Sequence, residues 1–176
     1  MRIESTPVQA NPEFDMFFYA EISQEQRLEH ELLMRLEERW NAWLEHLRVY
    51  ELKNVEGAGG WLLVYLDTPV QEEIDAIWAD SPSEGLGLHS LAVTMVMSEA
   101  REKIPQLADN QSAPLPTPVA PIQDAFEALG LEWNSETTVD RKYTVFTYLP
   151  YKGGCALCAM EEECPTKQLA DRWRRK

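Results

Sequence analysis

No run of apolar residues in this chain approaches the roughly 20 needed to cross a bilayer. The opening residues, Met1-Arg2-Ile3-Glu4-Ser5, have no apolar core of the kind a signal peptide carries. Both absences lead us to expect a cytoplasmic protein with no membrane association. Basic residues are scarce: 16 Lys and Arg face 30 Asp and Glu, for a net charge of −14 over 176 residues. Nonspecific nucleic-acid binding draws its affinity from Lys and Arg displacing counterions from phosphates, and the overall field here has the wrong sign for it. Cysteine is scarcer still. There are three, all within ten residues, and an odd, clustered count does not make a disulfide framework. In a reducing compartment such thiols are more often metal ligands or redox groups than staples.

Catalytic signatures are missing as well. There is no internal repeat, P-loop or G-x-S-x-G elbow. His30-Glu31 opens like a metalloprotease signature, but Met34 stands where the second histidine belongs. The residues three before the histidines are Arg27, Trp43 and Leu86, so no Glu-x-x-His pair exists for a di-iron bundle. These absences argue against an autonomous enzyme.

What is present is an ordinary globular composition, 44% hydrophobic and 26% charged, which excludes a wholly disordered or fibrous chain. The charge is unevenly placed. Residues 166–176 hold five basic residues and one acid, a local +4 that leaves −18 on residues 1–165. Such a tail suits an acidic protein partner or the body itself, and equally a helix ending in cations that complement its dipole.

Apolar residues at Leu28, Leu32, Leu33, Leu36, Trp40, Trp43, Leu44 and Leu47 predict a helix from about Ser23 to Tyr50, opened by a Ser23/Gln26 capping box. The steps from Leu33 to Tyr50 also match a short coiled-coil seam, which keeps a homodimer as an alternative. Trp61 to Leu66 reads as a buried strand after the Gly57–Gly60 turn, and Asp67-Thr68-Pro69 opens a second helix that Ser81-Pro82 ends. A third helix is predicted over Ser90–Lys103, with Gly85-Leu86-Gly87 as the loop before it. Between Ala108 and Pro121, four prolines among Ser, Ala and Thr read as a semi-rigid linker. Beyond it we expect a helix from Pro121 to Leu129 closed by Gly130, a strand beginning at Leu131-Glu132-Trp133, and a β-rich run from Lys142 to Leu149.

The fold expected is α+β. A mainly helical N-terminal part with one buried strand leads through the linker into a small α-β-β unit. Its divisions are an N-terminal arm (1–20), a helical domain (21–107), the linker (108–121) and a cysteine-containing unit (122–176).

The cysteines follow Gly153-Gly154 as Cys155-x2-Cys158-x5-Cys164-Pro165. Two intervening residues let a tight turn aim both thiolates at one centre. Five more, about a turn and a half of helix, bring a third sulfur back to it. The glycine pair lets the backbone approach, where amides can hydrogen-bond cluster sulfur. Four expectations stay open: an iron–sulfur cluster, zinc held by the three cysteines and one of His30, His46 or His89, a metal site shared by two chains, or metal-free thiols.

Over about eleven residues this pattern resembles the iron–sulfur loop of endonuclease III-type DNA glycosylases. It is similar also to the end of WhiB-like regulators, to the cluster of the nitrogenase molybdenum-donor protein and to nucleases with a C-terminal four-cysteine cluster. The resemblance implies three of four ligands to a four-iron cluster, which would lose an iron to become a three-iron one if no fourth ligand is supplied. The sequence departs from those families at the fourth cysteine. Tyr148 or Pro150 stands where the glycosylase or molybdenum-donor pattern places it. The expected function is an accessory protein binding an iron–sulfur cluster or other metal through Cys155, Cys158 and Cys164, with a redox-sensing, electron-transfer or cofactor-delivery role. The alternative is an acidic protein-interaction module with a zinc site or metal-free cysteines.

Overall fold

The strands β1 (Ile3–Pro7), β2 (Leu47–Asn54), β3 (Gly60–Leu66) and β4 (Thr144–Leu149) lie side by side in that order, every neighbouring pair antiparallel. This computed structural model describes residues 1–109, 112–133, 139–165 and 167–168. Among them are five α-helices: α1 (Met16–Ser23), α2 (His30–Trp43), α3 (Thr68–Asp80), α4 (Pro82–Lys103) and α5 (Ala120–Ala128). The class is α+β.

Strand alternation sends side chains to two faces, and each face has its own core. Leu47, Val49, Leu62, Val64, Leu66 and Val145 share one core with Trp40, Trp43, Ile74, Leu91 and Met95 from α2–α4. Leu52, Leu63, Tyr65 and Phe146 share the other with Ile122 and Phe126 of α5. On that second face the rings of Phe126 and Trp133 stack 5.8 Å apart, 2° from parallel.

The helix expected over 23–50 is instead the end of α1, then α2, a 3₁₀ turn over Leu44–His46 and the start of β2. Asp15 caps α1, its carboxylate accepting from the amides of Phe17 (2.8 Å) and Phe18 (3.1 Å). Ser23 is the last residue of α1 rather than a cap, and Gln24, at φ 59°, turns the chain out of the helix. After α2, residues 47–54 switch to strand. Their apolar spacing fits a helix on one side, but as a strand they place Leu47 and Val49 in one core and Leu52 in the other. Burying three such side chains contributes about 2 kcal/mol each, more than helix propensities of less than about 0.7 kcal/mol per residue can oppose. The N-terminal part thus carries three strands, not one, and residues 1–20 are built into the fold through β1 and α1.

α4 starts at Pro82, eight residues earlier than expected, so Gly85-Leu86-Gly87 is helical and not a loop. Gly85 is there for space: a Cβ on it would stand 2.7 Å from the Cα of Trp78 in α3. β3, α3 and α5 match expectation, with Gly130 (φ 71°) closing α5. The strand expected at Leu131–Trp133 is a single bridge between Trp133 and Val139.

β4, from the 122–176 stretch, pairs along its length with β3, from the 21–107 stretch. The proline-rich segment runs beside it. Pro114 and Pro116 are buried. Ala113 packs against the first core and Leu115 against the second, so the chain crosses from one face of the sheet to the other here.

Candidate functional site

The cysteine loop hangs from the end of β4. A cis Leu149–Pro150 bond and Gly154, in the left-handed region at φ 113°, lead into a single 3₁₀ turn over Cys155–Leu157. The Leu157 amide donates to the Gly154 carbonyl (3.2 Å) and the Cys158 amide to the Cys155 carbonyl (3.0 Å). Further on, the Glu161 amide donates to the Cys158 carbonyl (3.1 Å) and the Gln168 amide to the Cys164 carbonyl (3.1 Å). The two-residue spacing therefore makes the tight turn that the sequence called for.

Three contacts tie the loop to the body. The Ala159 amide donates to the Leu115 carbonyl at 2.8 Å, and the Leu115 amide donates to the Cys158 sulfur at 3.4 Å. The Tyr148 hydroxyl donates to the Leu157 carbonyl at 3.3 Å. Burial, and then the charge of the Cys158 thiolate, push the Tyr148 hydroxyl above its ordinary range. Cys155 is exposed, while Cys158 and Cys164 are half-buried. All three are free thiols.

The donor set suits a soft metal or an iron–sulfur cluster, and the amide aimed at Cys158 is the kind of contact that stabilises a coordinated sulfur. The sulfurs are nonetheless not drawn together. Among the described residues no three His, Cys, Asp or Glu side chains are gathered closely enough to hold a metal ion. None of the three histidines joins the cysteines. His30 is the exposed first residue of α2 and His46 lies beside Glu45. Nδ1 of His89 is 3.2 Å from the Tyr143 hydroxyl. Most of the basic tail, residues 166 and 169–176, lies outside the described residues. Lys167, at its start, pairs with Glu161 across the cysteine loop.

No family model, curated protein or solved structure matches this chain. The site is therefore read from its own residues.

One cluster escaped the sequence reading. Asp75, Trp78, Leu86, His89 and Lys142 surround a cleft of about 350 Å³ beside Tyr143. Lys142 Nζ sits 3.0 Å from Asp75, and the Trp78 ring meets the His89 ring edge-on. Burial, and then Lys142, lower the pKa of His89, while burial, and then Asp75, push the Tyr143 hydroxyl up to about 12. The imidazole is thus held neutral at physiological pH beside a phenol that does not ionise. The residues are up to 68 positions apart in sequence, and no local pattern announces them. No helix among the described residues is long and apolar enough to cross a membrane.

Proposed function

We propose that this chain is a cytoplasmic accessory protein whose C-terminal loop takes up a metal centre through Cys155, Cys158 and Cys164, with an iron–sulfur cluster favoured over zinc. The observation that carries the reading is that three free thiols at ligand spacing share one short loop, held to Leu115 through Cys158 and Ala159. Their separation fits a site closed by its own metal. A preformed ligand set is rare without its metal, because convergence of the ligands is normally coupled to metal binding. Leu115 and Tyr148 hold one side of the loop, so closure has to move only Cys155 and Cys164 toward Cys158. The role is redox sensing, electron transfer or cofactor delivery to a protein partner.

Anaerobic purification followed by an absorption spectrum and iron and sulfide assays tests this. A brown protein containing iron and acid-labile sulfide is expected, and the colour is lost in a Cys155→Ser, Cys158→Ser, Cys164→Ser triple variant. A protein that holds no metal after reconstitution overturns the reading.

The separated sulfurs favour a second reading, an acidic interaction module whose cysteines bind nothing. It requires the triple variant to remain folded and to keep its protein partner.

A further inference from the structure

β1 is an edge strand, and the register of its inner side fixes what its outer side offers. The Val8 amide donates to the Val49 carbonyl at 2.9 Å and the Val55 amide to the Arg2 carbonyl at 3.0 Å. Both pairs lie on the β1–β2 register, in which Ile3 stands opposite Asn54. Hydrogen-bonded and non-hydrogen-bonded pairs alternate along an antiparallel ladder. Positions 2, 4, 6 and 8 therefore face β2, while 3, 5 and 7 turn their backbone groups outward. Pro7 agrees with this assignment, since a proline is tolerated on an edge strand where its nitrogen faces away from the ladder. What remains on the outer edge is the amide and carbonyl of Ile3 and of Ser5, with the carbonyl of Pro7 beyond them.

That edge does not face open solvent on both sides. Helix α5 flanks it, and between them lies a groove of about 630 Å³ whose walls include Ile3 and Ser5 on one side and Ala125, Ala128 and Leu129 on the other. No residue of β2, β3 or β4 lines it, so it opens on the free side of β1. Ile3 and Ser5 share the face of Leu52, the face that α5 covers. Glu4 points to the opposite face and is exposed. Neither Glu4 nor Asp124, on the groove wall, has an ion-pair partner among the described residues.

We propose that β1 and α5 form a docking groove for an extended peptide that adds to the sheet as a fifth strand. The main-chain groups of Ile3 and Ser5 supply its hydrogen bonds, and α5 supplies the side-chain pockets, as in strand-addition recognition generally. Residues opposite Ile3 and Ser5 must point at Ala125, Ala128 and Leu129, which selects small or medium apolar side chains there. The residue between them lies across from Glu4, where a cation is favoured and an anion repelled. Arg2, two positions away on the same face as Glu4, favours an acid or a neutral residue opposite itself. The occupant is thus an apolar–basic–apolar segment, attracted as well by the −14 charge of the chain. This interaction is separate from the cysteine loop, and a metal-free protein retains it.

The probe is a capped peptide, Thr-Thr-Val-Lys-Val-Glu-Thr, titrated into the isotope-labelled full chain and followed by amide chemical shifts. Saturable shifts are expected at Ile3, Ser5, Ala125, Ala128 and Leu129. Exchanging Lys and Glu in the peptide turns the pairs at Glu4 and Arg2 from attractive to repulsive, and weakens binding by about fivefold or more, the upper range of one cross-strand charge pair being about fivefold. Ser5→Pro removes one outward donor and leaves the β1–β2 ladder intact, so it weakens binding about tenfold, or about 1.4 kcal/mol. Ala128→Arg fills the groove from an exposed helical position and abolishes binding, which keeps the test decisive should Ser5→Pro unfold. Absence of saturable shifts, shifts confined to other surfaces, or binding unchanged in Ala128→Arg overturns the proposal. So does a peptide-independent dimer paired through β1, which would make a second copy the occupant.

Discussion

The hydroxyl of Thr147, wholly buried on β4, donates to the carbonyl oxygen of Pro114 at 2.9 Å. A proline carbonyl in a buried segment has no helix or ladder to satisfy it, and this side chain does so across 33 positions. Thr147→Val keeps the shape and removes the donor, leaving the carbonyl stranded. We expect a loss of about 1–3 kcal/mol in denaturant unfolding. An unchanged midpoint would show that the segment does not depend on this bond.

Two glycines in α4 should respond oppositely to alanine. At Gly85 a Cβ would lie 2.7 Å from the Trp78 backbone, so α3 and α4 must part. Gly85→Ala should therefore destabilise by about 1–3 kcal/mol despite its helix propensity. At Gly87 the nearest atom is the Tyr19 hydroxyl at 3.4 Å, an ordinary contact. Gly87→Ala should stabilise by about 0.5–1 kcal/mol through the backbone entropy it removes. Thermal unfolding of the two variants side by side checks the contrast.

Glu99 is fully buried on α4, with Lys103 Nζ at 3.2 Å. Burial raises its carboxyl above the usual range, against the opposing pull of Lys103. The folded state therefore binds this proton more tightly than the unfolded one. The corresponding stability is present below pH 4.5, the ordinary value, and is lost as pH rises through the folded value. Glu99→Gln should remove that pH dependence, so the variant gains on the parent chain between acid and neutral pH. Urea midpoints measured across this range test it, and a variant that loses ground to the parent chain as pH rises would contradict it.

Thiol accessibility gives a reading of the cysteine loop without a spectrum. In the metal-free chain Cys155, the exposed thiol, should alkylate before Cys158 and Cys164. Bound metal should protect all three together, because a shared centre ties their exposure to one equilibrium. Peptide mapping by mass spectrometry after timed alkylation reads both. Protection of Cys158 alone on adding metal would speak against a common site.

Legibility in the sequence followed how local the deciding interaction is. The β3 strand, the Asp67-Thr68-Pro69 opening of α3 and the Gly130 end of α5 are set by neighbouring residues, and each was readable. The 47–54 stretch was not, because its apolar spacing satisfies helix and strand alike until β3 offers a partner at Leu62, Val64 and Leu66. α1 was missed although Asp15 announces it; the all-apolar Met16-Phe17-Phe18-Tyr19 run shows no amphipathic period. At the candidate site the tight turn at Cys155–Cys158 was legible from spacing. Its attachment to Leu115 was not, since that contact joins residues 43 apart. The His89–Tyr143 cluster is the same case, three elements meeting with no shared motif.

The order β1-β2-β3-β4 has a consequence for a chain made from its N-terminus. β1, β2, β3 and the four helices of the first face all precede residue 104. They can assemble while Thr144–Leu149 has yet to emerge from the ribosome. Until it does, one flank of β3 has no neighbour, and Leu52, Leu63 and Tyr65 lie bare on the face that α5 later covers. An open strand beside an uncovered apolar face is a template for wrong pairing. For the nascent chain, the interval between residues 66 and 149 is when capture by a chaperone matters most.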